Sequence, residues 1–205
     1  MTAGATADSV RELLDVESLE VIGDISPDDG MHRYGPTLYA EAGQTGLRMT
    51  RLAMLAAGTA KADKVLDFAC GAGRVLRYLK AGFPDAAITA CDVTPRDVEF
   101  CATTFGVNGV VSDPVPEKIE LDGPFDAIWC GSLLTHVDAD HIDGAIQLLL
   151  DRKVKADDIW FNGWKHLPPS RGGPEGAILD LLLGDMPWNL AFNGTSIQVG
   201  DDGTL

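Results

Sequence analysis

A mostly parallel α/β sheet covered by helices on both faces is the fold class this sequence predicts, and three observations predict it. From Lys64 onward, short apolar runs alternate with helical stretches, the order of repeated strand-helix-strand units. The runs are continuously apolar, as strands buried on both faces must be. A glycine-rich turn, Asp67-Phe68-Ala69-Cys70-Gly71-Ala72-Gly73-Arg74, joins the first run to the first helix. Turns of this kind lie at the carboxyl edge of open sheets, where ligands bind.

Taken in order, Ser9-Val10-Arg11-Glu12 reads as a capping box that starts a short leading helix. Residues 26–30 are turn-rich, and Gly35-Pro36 reads as a second break. Met49, Leu52, Ala53 and Ala56 then repeat at helical spacing, giving an amphipathic helix that ends near Gly58. Strands are expected over 65–68, 88–91, 107–111, 125–130 and 159–161, and helices over 74–81, 95–105 and 138–150. In the last helix Ile142, Ala145, Ile146, Leu149 and Leu150 form one stripe. Asn193-Gly194 suits a type I′ turn, so the flanking runs read as an antiparallel C-terminal hairpin that closes the sheet edge. The 205 residues divide into a helical extension or lid over 1–60 and the sheet domain over 61–205, its C-terminal part divergent or truncated.

The chain carries a formal charge of −15 and no Lys/Arg cluster, from which nucleic acid is excluded as a partner. No apolar run approaches the roughly 20 residues of a membrane span, and the first residues lack a secretory signal, so no membrane partner and a cytoplasmic location are expected. Cys70, Cys91, Cys101 and Cys130 show no metal-binding spacing and read as buried reduced thiols. The run from His136 to His141 is not a metal site either, because its histidines, five apart, diverge by about 140° on a helix.

The acids around the glycine turn carry the chemistry. Asp92 ends the second strand, where a carboxylate can accept both hydroxyls of a ribose. That much suits a dinucleotide enzyme equally well. However, Leu76 stands where the third dinucleotide glycine would fall, and Asp67 before the loop would repel a pyrophosphate while attracting an amino group. Asp113, after the third strand, is placed to accept from an adenine amino group. An amino-acid-bearing nucleoside fits these acids better than a dinucleotide.

Across roughly residues 65–150, and most specifically in V-L-D-F-A-C-G-A-G-R and F-D-A-I-W-C-G-S-L-L-T-H-V, the chain resembles the class I S-adenosylmethionine-dependent methyltransferases. The resemblance implies a Rossmann-like, doubly wound fold with S-adenosylmethionine as cofactor. It implies that Asp67 orients the methionine amino group and that Gly71 and Gly73, with Ala69 and Cys70 in the same turn, line the methionine and sulfonium region. It further implies that Asp92 holds the ribose, Val93 packs on adenine, and Ser112 and Asp113 bound the adenine edge. Cys130, Gly131 and Ser132 correspond to the fourth-strand motif beside the transferred methyl. Ala69 departs from the commonest family pattern, which has glycine there, and Lys155-Ala156-Asp157-Asp158 replaces the Pro-Gly-Gly turn that often precedes the fifth strand.

The expectation is a methyltransferase acting on a small-molecule acceptor. A non-catalytic S-adenosylmethionine-binding protein and a nicotinamide-dependent oxidoreductase are the alternatives. His136 is the candidate general base, since imidazole titrates near neutrality; its other reading is a residue packed under the following helix. The four tryptophans read equally as an acceptor pocket or as core, and Tyr34 and Tyr39 as parts of a lid over the cofactor.

Overall fold

The computed structural model describes residues 14–57, 59–131, 133, 139–152, 189–192 and 195–198. A four-stranded parallel sheet forms its centre, in the order β3-β2-β1-β4. The strands are β1 (Lys64–Phe68), β2 (Ala87–Asp92), β3 (Asn108–Val111) and β4 (Ala127–Cys130). Pro36–Ala57 forms α1, Leu76–Gly82 α2, Pro95–Phe105 α3 and Ala139–Asp151 α4. The parallel sheet, the helices between its strands and the glycine turn match the expected doubly wound, Rossmann-like class.

Register sorts the side chains onto two faces. Val65 lies opposite Ile88 of β2 and Ala127 of β4. These three share a buried core with Leu47 and Met49 of α1, Leu76 and Leu79 of α2, and Cys101 and Phe105 of α3. Leu66, Phe68 and Ile128 alternate to the other face, where Phe68 shares a cleft with Ala145 of α4. The continuous burial of β1 after Lys64 and of all of β4 explains why neither strand alternates in polarity.

Gly35-Pro36 is where the structure departs most from the sequence reading. The dipeptide begins α1, with Gly35 at φ +99° and the helix starting at Pro36. Proline's fixed φ and missing N–H suit the first turn of a helix, where that N–H would have no partner. The helix therefore starts well before its apolar repeat becomes readable. The helix expected over 74–81 begins instead at Leu76, because residues 71–75 form turns that Gly71 and Gly73 hold at positive φ. Pro95 opens α3, and Gly106 closes it at φ +63°.

At the amino-terminal edge, the Asp126 carboxylate accepts from the backbone N–H groups of Asp63 and Lys64, at 2.8 and 2.9 Å. It fixes the start of β1 against β4. Asn189–Phe192 (β5) and Thr195–Gln198 (β6) pair antiparallel as a separate two-stranded unit. The expected leading helix before Leu14, the strand over 159–161 and the segments around Trp160, Trp164 and Trp188 lie outside the described residues. Among the described residues, no helix is long and apolar enough to cross a membrane.

Candidate functional site

The carboxyl edge of the sheet brings Asp67, the glycine loop and Asp92 together. The N–H groups of Ala69 and Cys70 both donate to the Cys91 carbonyl, at 2.8 and 3.1 Å, folding the loop over the end of β2. The Asp92 carboxylate accepts from Gly71 N at 2.9 Å through Oδ2 and from Thr94 N at 2.9 Å through Oδ1. Each oxygen retains a lone pair for a further donor. Ser112 N donates to the Asp92 carbonyl at 2.9 Å, which brings the residues after β3 to the same edge.

Asp67 is 1% exposed, and its Oδ2 has no hydrogen-bond partner among the described residues. A fully buried carboxylate is rare unless paired, so an unpartnered one at a ligand-binding edge points to a missing cationic donor. Burial first, and then the Asp92 charge, push the Asp67 carboxyl up to about 8, with Arg74 opposing. An ammonium group placed at Oδ2 would reverse that balance.

The two loop glycines differ in what surrounds them. Gly71 has φ +50°, and a side chain there would meet none of the described residues within 4 Å. Gly73, at φ +82°, has the opposite constraint: a Cβ would come within 2.5 Å of the Phe105 ring. Gly71 is therefore clear of the described residues, whereas Gly73 allows the loop to pack down on α3. Ala69 also has positive φ, +64°, at the position where the resembled family most commonly carries glycine.

Beside Asp92, a cleft of about 110 Å³ is lined by Ala69, Asp92, Val93, Ser112 and Asp113, all named from the sequence. Val93 is exposed and Ser112 buried, and the Asp113 carboxylate accepts from Val115 N at 2.8 Å. Phe68, Pro114, Pro116, Ile119, Leu133 and Ala145 complete the cleft and escaped the sequence reading. The prolines next to Asp113 were its only local signal. A larger hollow of about 390 Å³ lies at the opposite edge, among residues 51–62 and 82–86. It contains neither the glycine loop nor Asp67 or Asp92, so chemistry and not size marks the site.

Cys70 and Cys130 are buried free thiols, as are Cys91 and Cys101. Burial pushes Cys91 and Cys130 up to about 12, and hydrogen bonding with Cys101, then burial, raises Cys70. None of these three is poised as a thiolate nucleophile near neutrality. Gly131 follows β4, and a Cβ there would meet the Trp129 indole nitrogen at 2.9 Å. Trp129 itself is core, packed near Gly46 of α1. Ser132 and His136 lie outside the described residues.

Arg77 and Tyr39 went unrecognised as a pair. Arg77 is 4% exposed, and its guanidinium donates to the carbonyls of Gly73, Ile22 and Asp24 and to the Tyr39 hydroxyl. Tyr39 is buried, while Tyr34 is exposed.

The sheet order, the loop and the carboxyl-edge acids define an open α/β protein whose acids gather where ligands of such folds bind. Residues 65–152 match the family described as a methyltransferase domain. Ribosomal RNA small subunit methyltransferase C of Klebsiella pneumoniae is 37% identical over 67 residues, 32% of this chain and 20% of that protein. Its namesake from Salmonella arizonae is 39% identical over 67 residues, again 32% of this chain and 20% of the relative. The chain thus spans about 20% of the length of these curated relatives. The sugar N-methyltransferase KedS8 of Streptoalloteichus superposes with a TM-score of 0.53 at 20% identity, covering 83% of this chain and 64% of that one. CalS10, an amino pentose methyltransferase of Micromonospora echinaspora crystallised with S-adenosylmethionine, gives 0.50 at 15% identity, covering 64% and 53%. Residues 65–152 thus match the methyltransferase-domain family, and the chain shares its fold with KedS8 and with CalS10, which was crystallised with S-adenosylmethionine bound.

The relatives also correct the exclusion of nucleic acid. The matched proteins are ribosomal RNA methyltransferases, so the charge of −15 does not support that exclusion. Net charge sums over the whole chain, whereas phosphate contacts depend on where individual cations stand.

Proposed function

We propose that this protein transfers the methyl group of S-adenosylmethionine to a small-molecule acceptor. The observation that carries the cofactor half of this reading is the buried Asp67 carboxylate, whose Oδ2 has no hydrogen-bond partner among the described residues. Asp67 would hold the methionine ammonium while the backbone of Ala69, Cys70, Gly71 and Gly73 lies along the methionine and sulfonium. Asp92 would accept from the ribose hydroxyls through the lone pairs that Gly71 and Thr94 leave free. Val93, Ser112 and Asp113 would bound the adenine in the adjoining cleft. Cys130, Gly131 and Ser132 would stand beside the transferred methyl, with His136 as the candidate base and residues 1–60 as an extension over the cofactor domain of 61–205.

When bound, the cofactor supplies a methyl group already activated on a sulfonium. The chain's task is then alignment, which contributes roughly 7–11 kcal/mol when reacting atoms are well oriented. A small-molecule acceptor is supported by KedS8 and CalS10, which act on sugars. The curated relatives favour a second reading, in which the acceptor is RNA.

Calorimetry with S-adenosylmethionine, S-adenosylhomocysteine and NAD tests the cofactor, and transfer of labelled methyl to amino sugars and to ribosomal RNA tests the acceptor. Tight binding of NAD alone would sink the proposal. Transfer to RNA alone would select the second reading, and cofactor binding without transfer to any acceptor would favour a binding protein. Asp92→Ala should weaken S-adenosylhomocysteine by about 10- to 100-fold, the worth of a charge-assisted hydrogen bond of about 1.5–3 kcal/mol. Unchanged affinity would remove Asp92 from the ribose.

A further inference from the structure

Arg77 occupies the first turns of α2, directly beneath the glycine loop. Its Nε donates to the Gly73 carbonyl at 3.3 Å, the same oxygen that accepts the first backbone bond of the helix from Arg77 N at 3.2 Å. Nη1 donates to the Ile22 carbonyl at 2.8 Å, and Nη2 to the Asp24 carbonyl at 3.0 Å and the Tyr39 hydroxyl at 3.3 Å. The guanidinium lies 5.3 Å from the ring centres of both Tyr39 and Phe105. Phe105 is the ring that a side chain at Gly73 would strike.

A buried cation is costly unless paired, yet among the described residues no carboxylate lies within ion-pair distance of Arg77. An acidic group reaches it through Tyr39, whose hydroxyl donates to Asp29 Oδ2 at 2.6 Å. A purely space-filling role would be met by an apolar side chain without this cost. What an apolar residue cannot do is hold three carbonyls from two separate stretches of backbone and a hydroxyl at fixed angles. Lysine cannot do it either, lacking the planar fork.

We propose that Arg77 is a positioning residue for the cofactor loop, tying the Gly73 carbonyl to the Ile22–Asp24 backbone and to Tyr39. The N-terminal segment and the glycine loop then take up their binding geometry together. This rests on the S-adenosylmethionine reading of the loop. It makes residues 22–39 part of the cofactor site without requiring them to touch the cofactor. Coupling of this kind is reciprocal: if the segment holds the loop, filling the loop must steady the segment.

The test uses the full chain, with S-adenosylhomocysteine as probe, calorimetry for affinity and amide hydrogen exchange for the segment. In the native protein, saturation should slow exchange at 22–39 as well as at 69–73. Arg77→Lys should raise the dissociation constant at least tenfold at a temperature where its circular dichroism is native, and protection should no longer reach 22–24. Tyr39→Phe, which removes only the hydroxyl link, should raise it about threefold and covers the case in which Arg77→Lys does not fold. Native affinity in the variants that fold, with only a lowered melting temperature, would reduce Arg77 to a structural role and overturn the proposal. So would native protein that binds but shows no protection at 22–39. Native protein that fails to bind the probe would overturn the cofactor reading, and this proposal with it.

Discussion

Asp67 concentrates the chemistry of the site into one ionisable group. Its carboxyl is pushed up to about 8 in the fold, by burial first and by Asp92 second, from an ordinary value of 3.8. Between those values the folded chain holds a proton that the unfolded chain has lost. Folding stability should therefore fall as pH rises through that window, by up to about 1.4 kcal/mol per pH unit from this group. Asp67→Asn cannot ionise and should remove this contribution. Urea unfolding at pH 5, 7 and 8.5 would show it as a variant that gains on the parent as pH rises. A constant difference between the two proteins would contradict the assignment. Ala69 poses a simpler question, since a Cβ in the left-handed region costs roughly 1–2 kcal/mol. Ala69→Gly should raise stability by about 1 kcal/mol once the freer unfolded chain is counted, measured by denaturant midpoint. No gain would mean that the surrounding bonds to Cys91 already absorb the strain. Asp67, Asp92 and both loop glycines were legible in the sequence, because an acid inside or at the end of an apolar run contradicts simple burial. Ala69 was legible as a departure, but its positive φ emerged only from the fold.

At the scale of elements, α1 shows how packing depends on what is missing. Gly43 and Gly46 lie on the face of α1 toward α2, where an added Cβ would come within 2.4 Å of the Tyr78 ring and of Val75 Cγ1. These glycines let the two helices approach closely and seat Leu47 in the core. Glycine inside a helix costs up to about 1 kcal/mol of propensity, so a benefit in packing must offset it. Gly46→Val should overpack this contact and destabilise by about 1–3 kcal/mol despite the change away from glycine. Thermal unfolding would measure it, and a stabilised variant would mean that α1 can shift outward without loss. The apolar repeat of α1 was readable from Met49 onward, whereas its first turns carry too few apolar residues to announce a helix. Helix α3 was readable throughout, because Pro95 and Gly106 mark its ends and Val98, Cys101 and Phe105 its buried face.

For the whole molecule, the cofactor site couples to global stability through mass action. S-adenosylhomocysteine at a hundredfold excess over its dissociation constant should stabilise the chain by about 2.7 kcal/mol, and NAD should not stabilise it. A melting shift with NAD and none with S-adenosylhomocysteine would reverse the choice between methyl transfer and hydride transfer. The acidic total charge did not decide the class of acceptor, because a sum over 205 residues contains no positions.

The sequence by itself determined the sheet, the order of its strands and helices, and the acids at its carboxyl edge. These are local signals, carried by periodicity and by charges that stand inside or just after apolar runs. Only the tertiary structure decided that Arg77 joins Gly73 to backbone 53 and 55 residues earlier in the chain, and that Ile119 and Ala145 help close the cleft beside Asp92. Such partners share no spacing that a linear pattern can register. They meet because the parallel crossovers and α1 return distant segments to the same edge of the sheet, where a buried guanidinium must find its acceptors.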